Sequence, residues 1–414
     1  MGKKVLSILL SAMLLLAVVP NVAAQEEIEI TDVDVGYDFG EEIRFSATVN
    51  APSTIQEVLL SFRDVRENNT RVISLDPDET GRVSYAYDAR ENLLRPFAKI
   101  TLEFEVKLEN GVSKTSKSYS FIYTDNRFEW QTREEDNLRV HWYEGDTGFG
   151  IAALDTARTG LQEIASLFPV DATAPLDIYI YASPAELQNA LFMGGESWVA
   201  GHASPALGIV LVSIVPGVEE KILMERQIPH ELAHVLLYRH LGEGYDLLPT
   251  WLLEGIASNV ELYPNPDYEL ALTRAVDNNA LIPIAELCAP FPRDASDAFL
   301  AYAEATSFTD YLYKEYGKSG MEALLRAYAD GLSCEAGANQ ALGKPLSYLD
   351  ISWQEDVLGA NLFGVAWRAI LPFGLILFAF LALPFSTSIS AWRFSRPFLR
   401  FIHISNCITP IPIP

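Results

Sequence analysis

His230-Glu231-Leu232-Ala233-His234 is the stretch from which the rest of the chain unfolds. The two histidines stand four apart, so if residues 222–240 are helical both imidazoles leave one face about a turn apart. Two nitrogens placed that way can grip one metal ion. Glu231 sits one position further round, displaced too far to join the pair as a ligand but able to reach a water activated by the metal as general base. Beyond the motif, Gly242 and Gly244 can end the helix and Pro249 can help start another. That second helix carries Trp251-Leu252-Leu253-Glu254-Gly255-Ile256-Ala257, which sets a carboxylate twenty residues past His234. A returning helix would bring Glu254 to a third corner of the metal and leave the fourth open.

The two motifs together resemble the gluzincin clan of zinc metallopeptidases. The peptidase MA-like domains of bacterial surface proteins are the nearest parallel, with aminopeptidase N and thermolysin more distant. The resemblance runs from Leu138 to Trp353 and implies zinc (Zn2+), with His230, His234 and Glu254 as ligands and Glu231 as base. It implies two further roles. Glu261, seven past Glu254, matches an acid that supports a ligand histidine from behind. Tyr302 opens Tyr302-Ala303-Glu304-Ala305-Thr306, similar to the helix whose first tyrosine stabilises the oxyanion in the aminopeptidases, although the Lys-Gly pair usual after it is missing here. The strand Leu207–Val212, approached through Ala200-Gly201-His202-Ala203-Ser204, resembles the edge strand against which an extended substrate pairs. No Gly-Ala-Met-Glu-Asn stretch of the aminopeptidase kind occurs, so endopeptidase action on a peptide or protein is expected.

Outward from the motif the pattern changes period. Residues 25–128 alternate, as in Ile43, Phe45, Ala47 and Val49, then Val58, Leu60 and Phe62, then Ile100, Leu102, Phe104 and Val106. Turn signals such as Asp76-Pro77-Asp78 and Asn110-Gly111 divide these runs, which suits an immunoglobulin- or fibronectin-like all-β sandwich of about seven strands. No catalytic cluster falls within it. Residues 137–355 read as an α+β domain: strands at Leu138–Tyr143, Leu176–Tyr181 and Leu207–Val212, a helix over Ile151–Phe168, a capping box at Ser183-Pro184-Ala185-Glu186, and mostly helices from Glu219 onward.

The two ends bear on location. Lys3 and Lys4 precede an apolar run to Val19 with small residues at Val22-Ala23-Ala24, the pattern of a secretory signal over residues 1–24. Ala369 to Trp392 carries no charge, and Arg393, Arg396 and Arg400 follow it. This predicts one transmembrane helix over residues 366–386 and a cytoplasmic tail over 387–414, with the catalytic domain on the extracytoplasmic side of the cell membrane. An oxidising compartment permits a bridge between Cys288 and Cys334, a pairing that sequence alone leaves open. The formal net charge of -25 argues against a nucleic-acid partner, which requires clustered Lys and Arg. The rival to a peptidase is a surface-binding protein that keeps the metal and has lost turnover; the intact Glu231 weighs against it.

Overall fold

Alternation decides the first third of the chain. The computed structural model describes residues 27–171, 173–191 and 201–360, with the backbone alone for residues 201 and 202. Strands β1 (Glu29–Asp38), β2 (Glu42–Asn50) and β5 (Arg82–Asp88) form one antiparallel sheet in the order β1-β2-β5. A second sheet runs β4 (Arg71–Leu75), β3 (Ile55–Asp64), β6 (Lys99–Leu108) and β7 (Ser113–Thr115), with β8 (Tyr119–Ile122) also paired to β6. Every second residue points inward, so Ile43, Phe45 and Ala47 of one sheet meet Val58, Leu60 and Phe62 of the other in one core. Phe45 and Phe62 meet there at a tilt, ring centroids 4.7 Å apart. The hairpin joining β6 to β7 turns at Asn110-Gly111, where Gly111 takes φ +85° and the Asn110 side chain accepts from Val112 N. The region is β-rich as read, with eight strands among the described residues.

The next sheet has the order β12-β13-β11-β10-β9, from Gly201–Ser204, Ile209–Ser213, Leu176–Tyr181, Leu138–Trp142 and Gln131–Glu135. The three inner strands are parallel and the two outer ones antiparallel to their neighbours. Both faces are covered, which is why β11 and β13 are almost continuously apolar. On one face Ile178, Ile180, Val210 and Val212 pack beneath α1 (Thr147–Leu167) and α3 (Glu220–Leu241). On the other, Tyr179, Tyr181, Ile209 and Leu211 join the core of the two-sheet region and the short helix α2 (Pro184–Leu191). Phe97 stands 4.5 Å from Tyr179, and the Tyr181 hydroxyl donates to buried Asp125. The β-rich region is thus one wall of the α+β sheet, and all of it belongs to the unit Met1–Ala360.

The sequence points to Leu207–Val212 as the edge strand, but β13 starts at Ile209 after a 3-10 turn at Pro205–Leu207 and lies inside the sheet. The outer position belongs to β12, in the stretch read as its approach.

The helical half contains α4 (Thr250–Asn259), α5 (Tyr268–Asn278), α6 (Ala295–Ala329, broken at Gly317), α7 (Cys334–Leu342) and α8 (Leu346–Asp356). Trp251, Phe308 and Trp353 fill its centre. Cys288 and Cys334 are joined in a disulfide that ties the segment before α6 to the start of α7. Among the described residues no helix is long and apolar enough to cross a membrane; segments 1–24, 366–386 and 387–414 lie outside them.

Two buried acids fasten the loop between α5 and α6. Glu304 accepts from Ile282 N at 2.9 Å and Asp350 from Ile284 N at 3.1 Å. Burial pushes the Glu304 carboxyl up to about 8 from its ordinary 4.5, with the Asp350 charge adding to the rise. The folded chain therefore holds a proton there that the unfolded chain releases. The stabilising contribution is complete below about pH 4.5 and disappears as pH climbs through 8. Glu304→Gln keeps the carbonyl acceptor without the ionisation. Urea unfolding at pH 5 and pH 8.5 should show the variant gaining on the parent by on the order of 4 kcal/mol at the higher pH. Equal pH dependence in the two proteins would dismiss the buried neutral acid.

Candidate metal centre

The site is built on α3, and its construction begins with a proline. Pro229 lies inside that helix and has no N–H to give the Glu225 carbonyl one turn back. That carbonyl instead accepts from Leu262 N at 2.8 Å. The bond draws the segment after α4 onto α3 and sets Glu261 against His230, whose Nδ1 is 3.1 Å from Glu261 Oε1. Arg226, one turn before His230 on the same helix, stands 3.9 Å from the other oxygen of Glu261 and lies over the Tyr263 ring.

The turn to α4 runs through a 3-10 helix, Gly242–Leu247, and α4 starts at Thr250, directly after Pro249. Glu254 comes back onto the two histidines. Its Oε2 is 3.3 Å from His230 Nε2 and 3.8 Å from His234 Nε2, and one donor atom from each of the three residues falls within a span of 4.8 Å. Donors bound tetrahedrally at about 2.0–2.1 Å stand roughly 3.3 Å from one another, so this set fits a zinc-sized ion. The chemistry fits as well: two imidazoles and one carboxylate are borderline N and O donors, and the remaining ring nitrogens are held from behind.

Electrostatics separates the two acids of the site. Burial alone would raise Glu254, but His234 and His230, with the nearby Tyr302 hydroxyl, outweigh it and hold the carboxyl below its ordinary range. Glu231 has no comparable donors, and burial pushes it up to about 7; His230 opposes the rise, while the charges of Glu254 and Glu261 add to it. Burial would lower the His230 imidazole, yet the hydrogen bonds to Glu254 and Glu261 carry it upward, to about 10.

The structure brings His230, Glu231, His234, Glu254, Glu261 and Tyr302 into one site. Tyr302 lies on α6 with its ring 6.4 Å from that of His230 and 5.1 Å from Phe291. Its phenol is pushed strongly upward by burial and by the Glu254 and Glu231 charges, so it remains a proton-bearing donor. His141 and His240 are engaged elsewhere: His141 with Asp177 and Thr132, His240 with Glu322 and Arg326. Sequence reading missed Tyr245, whose hydroxyl is 3.0 Å from His234 Nδ1. Its segment, Gly242-Glu243-Gly244-Tyr245-Asp246-Leu247, has neither helical nor strand period, so its ring carried no positional signal.

Residues 156–359 match the model of the Peptidase MA superfamily, and every residue of the site lies inside that segment. The match supports a peptidase-like hydrolase, in a superfamily that is typically metal-dependent. No curated protein matches the chain. Among solved structures, wild-type OgpA from Akkermansia muciniphila is 20% identical over 24% of this chain and 28% of its own, with a TM-score of 0.21. Catalytically inactive OgpA in complex with an O-glycopeptide substrate is 19% identical over 25% of this chain and 32% of its own, at 0.19. An aminopeptidase N family protein from Idiomarina loihiensis is 11% identical over 79% of this chain and 70% of its own, at 0.30. The chain thus spans no more than about a third of OgpA.

Proposed function

We propose that the chain is a zinc-dependent endopeptidase, tethered to the cell membrane by a helix over residues 366–386 with its catalytic part outside. The observation that carries the reading is the convergence of His230, His234 and Glu254 within 4.8 Å beside a buried acid, Glu231, that is not one of them. Zinc bound to the three would supply a Lewis acid that polarises the scissile carbonyl and makes water acidic enough to attack it. Glu231 takes the proton of the attacking water and hands it to the leaving amine. The Tyr302 hydroxyl donates to the oxygen on which charge develops. Glu261 fixes His230 through Nδ1 and so keeps Nε2 turned inward. Strand β12 offers its backbone to an extended substrate, which gives binding with little demand on side-chain identity.

In this reading residues 25–128 form an immunoglobulin- or fibronectin-like module, residues 137–355 the gluzincin-type domain, residues 1–24 a removed signal and 387–414 a cytoplasmic tail. The test is zinc analysis of the purified chain together with a proteome-derived peptide library. We expect one zinc per chain and internal cleavage that a chelator stops and added zinc restores. Zinc without cleavage would favour the surface-binding alternative, and failure to bind zinc would sink the proposal.

A further inference from the structure

We propose that Tyr245 is the positioning residue for His234, doing for this ligand what Glu261 does for His230. The inference rests on the zinc reading above. The Tyr245 hydroxyl is 3.0 Å from His234 Nδ1, with the two rings edge to face at 88°. The other nitrogen of the same imidazole, Nε2, is the one that faces Glu254. An imidazole that binds a metal through Nε2 is neutral and keeps its remaining proton on Nδ1, so Nδ1–H donates to the Tyr245 oxygen. The phenol thereby selects the tautomer and fixes the ring's rotation.

The two ligands are then held unequally. A carboxylate behind His230 withdraws the ring proton and makes Nε2 more basic, whereas a neutral phenol behind His234 orients without that charge. Tyr245 cannot be the oxyanion donor, because it meets His234 on the side turned away from Glu254. That leaves Tyr302, which lies beside Glu254 and Glu231, for the substrate side.

Tyr245 is itself braced from outside the catalytic helices. Its ring packs edge-on against Tyr238 at 5.7 Å. Arg66, in the loop after β3, donates to the Tyr238 hydroxyl at 3.1 Å and lays its guanidinium over that ring. The β-rich region therefore reaches a ligand histidine through two aromatic rings. This gives a region without catalytic residues of its own a part in shaping the site.

The experiment is zinc competition against a chelating dye with the full chain in detergent, parent against Tyr245→Phe, which keeps the ring and deletes the oxygen. The expected result is a loss of zinc affinity on the order of tenfold, with the fold intact by circular dichroism. A histidine nitrogen spectrum of the zinc-loaded parent supplies a readout that does not depend on the variant folding: His234 should be protonated at Nδ1 and metallated at Nε2. Unchanged affinity in Tyr245→Phe, or metallation of His234 at Nδ1, overturns this inference while leaving the zinc reading in place. A parent that binds no zinc overturns both.

Discussion

Glu231→Gln should bind zinc with the parent's stoichiometry and lose peptide cleavage, with kcat falling by about 10²–10⁴-fold, the range of a general base. The separation of the two effects follows from geometry. The proposed ligand set is His230, His234 and Glu254, whose donors lie within 4.8 Å of one another, and Glu231 is next to it without belonging to it. Glutamine matches the size of glutamate, so the buried packing around position 231 is preserved. It cannot accept a proton in the first transfer or return one in the second. KM should move little, since Glu231 is assigned to the transition state and not to holding the substrate. Metal content by atomic spectrometry and turnover of one fluorogenic peptide are sufficient measurements. Substantial residual turnover with full zinc occupancy would remove Glu231 as the base, and loss of zinc would mean that it helps hold the metal after all.

The residues of the candidate site could be picked out of the sequence because they sit on regular elements or at fixed steps from them. His230 and His234 share a face by helical period, and Glu254 was reachable because Gly242 and Pro249 mark where one helix stops and the next begins. The alternation of Ile43 to Val49 and its partners likewise disclosed the β-rich region. What sequence could not disclose depends on tertiary packing. The lost hydrogen bond at Pro229 could be foreseen, but its replacement by Leu262 N could not, because that donor arrives from another segment. The edge strand was misplaced because β12 is only four residues long and is separated from β13 by a 3-10 turn, so the two read as one approach and one strand. Nothing along the chain revealed that the β-rich region would cover one face of the α+β sheet. Only the unbroken burial of Tyr179, Ile180 and Tyr181 in three dimensions does so.

Replacing Gly255 by alanine should be among the most damaging single changes to the site, although residue 255 touches no ligand atom. Glycine there allows α4 to approach α6 more closely than any side chain permits. A Cβ at this position would collide with the Thr309 hydroxyl and with the backbone carbonyl of Ala305. The hydroxyl can rotate away, but the Thr309 Cβ and the Ala305 carbonyl are both fixed on α6, so α4 itself must move. Overpacking a core commonly costs about 1–3 kcal/mol, and a clash with backbone belongs at the top of that range or above it. The displaced helix carries Glu254 at the adjacent position, so the carboxylate withdraws from His230 and His234 together. The expected outcome is a melting temperature several degrees lower and zinc affinity reduced by more than tenfold. Adding Thr309→Ala should recover only part of both, because the Ala305 carbonyl remains in place. Parent-like melting and zinc affinity in Gly255→Ala would show that α4 has slack, and that Glu254 is placed by something other than its packing on α6.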